Sequence, residues 1–258
     1  GQQVVIGDYT YTYYTDHATG APEGWNAVVN DKTLSSYGAI EAEVNGLPVT
    51  QLYKTFAGCT NMTEAPAIPE GVKVLYNTFK NCTALTSAPA IPEGVENMTY
   101  AFWGCSSLTE APELPESVKI LKGAFYKCTA LTAAPDLTSV EDMTQAFDGC
   151  TNLSGEVILA TDKSTKAFRG SAVTSVKITK DVTAIAQGTF DGCNITDITY
   201  EGTGAEFAKI SVGSYNGSFK KASVKVTLAD TPSIVSDGKR TYICDLENIK
   251  DLYIGKGT

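Results

Sequence analysis

Phenylalanine marks time along this chain: Phe56, Phe79, Phe102, Phe125, Phe147, Phe168 and Phe190 follow one another at 23, 23, 23, 22, 21 and 22 residues. Three residues after each comes Cys59, Cys82, Cys105, Cys128, Cys150, then Ser171, then Cys193. Three further on stand Met62, Leu85, Leu108, Leu131 and Leu153. Prolines keep the same beat at Pro66, Pro89, Pro112 and Pro135, with a second set at Pro69, Pro92 and Pro115. A unit this short cannot bury an apolar face alone, but stacked on its neighbours it can. Each Phe, Cys and Leu is then expected above its counterpart in the previous unit, as ladders through one continuous core.

A period of about 20–29 residues with Leu at short fixed offsets is the signature of a leucine-rich repeat solenoid. We expect an α/β solenoid of about seven 21–23-residue units, with short parallel strands and irregular or short-helical outer segments, capped at both ends. At about 4.8 Å per coil, seven coils make a rod on the order of 35 Å long. Within one unit, residues 85–91 read as a strand with Leu85, Ala88 and Ile91 facing inward. Pro-Glu-Gly at 69–71 and 92–94 reads as a turn. Val72, Leu75 and Phe79 recur at helical spacing for one or two turns. Prolines so close to the strand suit a weakly paired edge better than a deep sheet.

The two ends have a different texture, as a solenoid that must close its apolar ends requires. Residues 1–43 read as an N-terminal β cap, with Tyr9, Tyr11 and Tyr13 alternating along a strand. Residues 44–200 hold the repeats and 201–258 a C-terminal flanking cap. In that flank, residues 205–210 read as a short helix, and residues 223–228, 242–246 and 251–254 as strands.

The repeat resembles the BspA-like (Treponema-type) leucine-rich repeats of bacterial surface proteins. The family's unit runs roughly Leu-Thr-x-Val-x-Ile-Pro, Val-x-x-Ile, Ala-Phe-x-x-Cys. Here Val173-Thr-Ser-Val176-Lys-Ile178, Val182-Thr-Ala-Ile185 and Thr189-Phe190-Asp-Gly-Cys193 fit it closely. The middle units carry one more residue in the strand segment and one fewer before Phe. Residues 198–226 look like the segment that often follows the last repeat. The resemblance implies an exported, non-catalytic module at the bacterial cell surface or outer membrane, associated with adhesion and host interaction. No signal peptide is visible, so export rests on the resemblance alone, and a lipid anchor upstream of Gly1 is compatible with it.

The chain has 258 residues, 43% of them hydrophobic, and a formal net charge of −9. That charge disfavours nucleic acid, which demands a basic face. No apolar run of 18 residues offers a membrane span. Of seven cysteines, six share one repeat position. Side chains filed in parallel hold their Cβ atoms too far apart to bridge, so free, buried thiols packing as small hydrophobes are expected; Cys244 stands outside the file.

The inventory is poor for catalysis. His17 is the single histidine, and a nucleophile–base arrangement would need it to face a distant partner. No Cys-x-x-Cys and no second His supply a zinc set. Gly202-Thr-Gly204-Ala-Glu-Phe207 starts like a dinucleotide loop but lacks its third glycine. Glu64, Glu110, Glu113 and Asp136 read as solvated loop residues rather than a general acid–base pair, and no dense Asp/Asn loop suits calcium. Of the sequons at Asn61, Asn81, Asn97, Asn152, Asn194 and Asn216, most are by-products of the repeated Thr. No cofactor is expected.

The candidate ligand-binding face is the column Thr63, Thr86, Thr109 and Thr132, with Ala67, Ala90, Glu113 and Asp136 beside it. Tyr53 and Tyr76, each three before a Phe, form a smaller aromatic candidate. The expected partner of this monomer is a protein, such as a host or matrix component. The alternatives are a carbohydrate-binding module, whose partner is a glycan, and a passive spacer.

Overall fold

The computed structural model describes residues 1–220, 225–228, 233–236 and 241–244. Its organising feature is a file of parallel phenylalanine rings. Neighbouring centroids from Phe56 to Phe190 lie 5.0–5.6 Å apart with planes within 13° of parallel. Parallel rings at that separation are slipped over one another, the arrangement their quadrupoles favour. All seven rings are fully buried. Phe219, which the spacing did not mark, adds an eighth rung 6.1 Å beyond Phe190. It is carried by a 3-10 turn, Ser218–Lys220.

The cysteines form a second file. Each thiol donates to the carbonyl of the Phe one coil earlier: Cys82 to Phe56 at 3.1 Å, Cys105 to Phe79 at 3.0 Å, Cys128 to Phe102 at 3.1 Å, Cys150 to Phe125 at 2.9 Å and Cys193 to Phe168 at 3.1 Å. Cys59 opens the file, and all six of these thiols are free and buried. Ser171 keeps the file continuous, its hydroxyl 3.4 Å from the Cys193 sulfur.

The N-terminal residues make a five-stranded sheet. Its strands are β1 (Gln3–Ile6), β2 (Tyr9–Tyr14), β3 (Gly24–Val29), β4 (Glu43–Val44) and β5 (Leu47–Gln51), in the order β1-β2-β3-β5-β4. Tyr9 and Tyr11 point inward from β2, and their hydroxyls bond Gly38 O at 2.7 Å and Glu41 N at 2.9 Å. β3 acts as the coil before the first. Val29 N donates to Thr55 O at 3.2 Å, and Thr55 Oγ1 reaches back to Ala27 O at 2.6 Å. One coil on, Thr78 Oγ1 reaches back to Leu52 O in the same way.

In the first coils the sequence expectation needs correcting in two places. The stretch 72–79 is not a helix: Val74 makes a parallel bridge and turns follow from Tyr76. Every coil holds two left-handed residues, two before and two after its Phe; in the second these are Asn77 (φ 56°) and Asn81 (φ 60°), and in the third Tyr100 (φ 56°) and Gly104 (φ 74°). A left-handed residue breaks a right-handed helix. It turns the N–H groups along the solenoid axis instead, so Asn77, Phe79 and Asn81 donate to Thr99, Ala101 and Trp103 of the next coil at 2.7–3.0 Å.

The segment 85–91 faces the core as expected, with Leu85 and Ile91 buried and Ala88 packed against them. It is not a regular strand, however: a single bridge joins Ser87 to Glu110, while the parallel column runs through Gln51, Val74, Asn97, Ile120 and Asp142. Proline explains this. Two ring-locked residues without N–H groups in each of these segments leave no ladder to form. The last of the repeated prolines is Pro135, and regular strands begin after it.

Those strands are β6 (Ser154–Leu159), β7 (Ala172–Ile178), β8 (Ala184–Ile185) and β9 (Asp197–Tyr200). One helical turn, α1 (Gly204–Phe207), is capped reciprocally by Thr203 and Glu206. β10 (Ser211–Val212) pairs in parallel with β8, and β11 (Lys225–Thr227) joins the parallel sheet β11-β9-β7-β6. β12 (Ser233–Ser236) and β13 (Thr241–Cys244) form an antiparallel pair. The strand expected at 251–254 and the Cys244 side chain lie outside the described residues.

Candidate functional site

Thr63, Thr86, Thr109 and Thr132 stand in one exposed column. The N–H and the hydroxyl of each Thr from Thr86 onward reach the carbonyl of the Thr one coil earlier, at 3.2–3.5 Å. These are long bonds, as the proline-interrupted coils would give. Ala67, Ala90, Glu113 and Asp136 are exposed beside them. Charge segregates sharply here. Residues 62–72, 85–95, 108–118 and 131–140 contain no Lys or Arg, but carry Glu64, Glu93, Glu110, Glu113, Glu116 and Asp136 among their acids. Asp136 accepts from the Thr138 hydroxyl at 2.6 Å and the Thr138 N–H at 2.8 Å. Those two bonds hold its carboxyl below the usual carboxylate range. The face is thus small-residued and acidic.

A second arc of the first four coils, around the Phe, is aromatic and cationic. Tyr53 and Tyr76 do meet, with centroids 5.7 Å apart. The row does not stop there, contrary to the sequence reading: Tyr76 meets Tyr100 at 5.8 Å, Tyr100 meets Trp103 at 5.2 Å, and Trp103 stacks on Tyr126 at 3.8 Å. Lysines lie over its rings, Lys54 over Tyr53 at 4.9 Å, Lys80 over Trp103 at 5.1 Å and Lys127 over Tyr126 at 5.4 Å. Strict repeat spacing hid this row. Tyr53 and Tyr76 sit three before a Phe, Tyr100 two before, and Trp103 and Tyr126 one after. The available signal was an aromatic within three residues of each Phe in the first four coils. Gly123 makes room for it, since a Cβ there would lie 2.5 Å from the Tyr100 ring.

The row begins at a hollow of about 340 Å³ lined by Tyr14, Asp16, His17, Ala18, Thr19, Gln51, Tyr53 and Tyr76. Gln51 is buried and doubly held. Its Oε1 accepts from the Thr19 hydroxyl, and its Nε2 meets His17 Nδ1. His17 packs against Tyr14, centroids 5.0 Å apart. Burial pulls its pKa below the ordinary histidine value, while the Gly24 carbonyl and Asp16 pull weakly the other way. The imidazole is therefore a fixed wall of this hollow. The loop carboxylates Glu64, Glu110, Glu113 and Asp136 do not line it.

Among the described residues no group of three His, Cys, Asp or Glu side chains is placed to hold a metal ion. Nor is any described helix long and apolar enough to cross a membrane. The buried thiols are held protonated: burial pushes Cys105 and Cys150 up to about 12.

Stacked coils, a Phe file and surface columns of single residues define a leucine-rich repeat solenoid. The chain belongs to the BspA type leucine rich repeat region family, whose model matches six copies over residues 52–154 and 161–227. Two solved structures share the fold. One is a T. pallidum leucine rich repeat protein, with 22% identity and a TM-score of 0.56, covering 82% of this chain and 86% of that one. The other is a leucine rich cell surface protein from Faecalibacterium prausnitzii, with 21% identity and a TM-score of 0.55, covering 94% of this chain and 58% of that one. No curated protein matches the chain in sequence.

Proposed function

We propose that this chain is a non-catalytic interaction module, exported to the bacterial cell surface, that holds a protein ligand against the face carrying Thr63, Thr86, Thr109 and Thr132. The observation that carries the reading is the uninterrupted exposed column itself. Four coils at about 4.8 Å present a face roughly 15–20 Å long, the scale of a small protein–protein contact patch. The side chains with reactive potential are spent elsewhere: the thiols are locked in the core and His17 in a side wall. The surface location is supported by the family and by the fold shared with the F. prausnitzii cell surface protein.

The acidic, Thr-rich surface fits a partner with basic side chains at its rim, so association should weaken as salt rises. The test is a screen of the purified chain on matrix-protein arrays, repeated with a Thr86→Arg/Thr109→Arg double variant. Saturable protein binding that the double variant loses supports the reading. Binding untouched by the double change, or no protein binding at all, rejects it.

A further inference from the structure

We propose that the hollow bounded by Tyr14, Tyr53 and Tyr76 is a second binding site, built for a neutral sugar unit at the end of a glycan whose following units run along the aromatic row. It occupies a different arc from the Thr column and does not depend on the protein-binding reading.

The hollow lies where the loop after β2 overhangs the first two coils. Its volume of about 340 Å³ is at the small end of ligand pockets. Its walls combine two chemistries. Three tyrosine rings offer electron-rich faces to C–H groups, while Asp16, Thr19 and Gln51 supply acceptors and donors for hydroxyls. A sugar ring carries both complements, an apolar C–H face and a rim of hydroxyls. The polar part is preset, because Gln51 is 3% exposed and gripped by Thr19 and His17 before any ligand arrives. Groups held in place in advance lose less entropy on binding.

Other occupants fit less well. An anion would meet the Asp16 carboxylate and no Lys or Arg among the lining side chains. An extended peptide adding itself as a strand needs a free edge, but Gln51 on β5 is already paired with Asn26 on one side and Val74 on the other. A wholly apolar ligand would leave the Asp16 carboxylate and the free lone pair of the Thr19 hydroxyl unused. The way out of the hollow also favours a chain. Tyr76, in its wall, is the second member of the row that continues through Tyr100 and Trp103 to Tyr126.

The experiment is calorimetric titration of the full chain with neutral glucose, galactose, mannose and N-acetylglucosamine oligomers of one to six units. At least one series should bind saturably, with affinity rising as the oligomer lengthens. Tyr76→Ala should weaken every member of that series about tenfold, the loss of one aromatic contact. Trp103→Ala should weaken only the longer members. Tyr215→Ala, an exposed ring on the last coils, should change nothing, and Thr86→Arg/Thr109→Arg should leave sugar binding intact. If Tyr76→Ala lowers thermal stability, Asp16→Asn, at an exposed position, replaces it and should weaken binding at unchanged stability. No saturable oligomer overturns the proposal, as does equal affinity in Tyr76→Ala and Asp16→Asn. A preference for acidic peptides or single-stranded oligonucleotides over every sugar series overturns it too.

Discussion

Phe56 and Phe79 lie with their rings 2° from parallel and 5.4 Å apart, although 22 residues separate them in the chain. That stacking repeats to Phe219, so each inner ring supports two others. Phe102, in the middle of the file, touches Phe79 and Phe125 on its two faces. Phe102→Ala should cost about 3–5 kcal/mol, the range for emptying a fully buried aromatic site. Phe102→Leu should cost less than half of that, since it fills most of the space. Urea titration of the three proteins checks the order. A loss below about 1 kcal/mol for the alanine variant would mean that the file is not the core.

The cysteine file gives a prediction in pH. Burial raises the folded thiols, with Cys105 and Cys150 pushed up to about 12 from an ordinary value of 9.0. Above pH 9 the unfolded chain releases thiol protons that the folded chain retains. The unfolded state then binds fewer protons, and stability falls as pH rises. The stabilisation is complete below pH 9 and is lost progressively toward pH 12. Cys105→Ala should flatten that decline, at the cost of lower stability near neutrality. Urea midpoints at a series of pH values from 7 to 11 test it. An equally steep decline in the variant would show that other groups, such as the buried tyrosines, carry the effect.

The left-handed positions give a graded pair. Gly58, at φ 84°, has open space where a Cβ would go, whereas a Cβ on Gly123, at φ 57°, would meet the Tyr100 ring at 2.5 Å and Trp103 at 3.4 Å. Gly58→Ala therefore bears only the backbone term, about 1 kcal/mol. Gly123→Ala should lose roughly 2–4 kcal/mol, because overpacking is added to it. It should also change the tryptophan emission, since Trp103 is pushed from its place on Tyr126. Equal losses in the two variants would place the aromatic row outside the packed structure.

How far the sequence spoke depended on whether a feature repeated. Seven ring positions, the thiol file and the buried Leu85 and Ile91 all follow from one period, because stacking makes the same demand in every coil. Phe219 follows Phe190 by 29 residues, and broke the interval that identified the others. The helix expected from Val72, Leu75 and Phe79 failed for a local reason. Apolar spacing says which side chains face inward, but not whether the backbone between them is right- or left-handed. Gly at 58, 104, 149, 170 and 192, always two after Phe, was the available hint, and Asn77 and Asn81 mark the same need with the next most tolerant side chain. On the surface, the Thr column was legible because it repeats. The aromatic row was not, since each coil supplies its ring from a different offset, and the hollow was not, since it joins residues 14–19 to residues 51–76 across two kinds of structure.

Asn216 holds the Phe190 rung and supplies the last prediction. In coil after coil the Phe N–H donates to a backbone carbonyl of the next coil, as Phe168 does to Thr189 O at 2.9 Å. Phe190 donates instead to the Asn216 side-chain oxygen, also at 2.9 Å, while Asn216 Nδ2 bonds Ala186 O at 2.8 Å and Gly213 O at 3.1 Å. One side-chain amide thus takes the place of a backbone carbonyl at this rung. It is 2% exposed, so this sequon is no acceptor for a glycan in the folded chain. Asn216→Ala leaves the Phe190 N–H buried without a partner, a loss of about 1–3 kcal/mol. Asn216→Asp keeps the acceptor but turns the bonds to Ala186 and Gly213 into carbonyl–carboxylate contacts, and should be no milder. Hydrogen exchange locates the damage. The Phe190 and Gly188 amides should lose protection in both variants, while those of Phe79 and Phe102 keep theirs, because each coil is held chiefly by its neighbours. Uniform loss along the whole file would instead mean that the solenoid opens as one unit and that this end governs it.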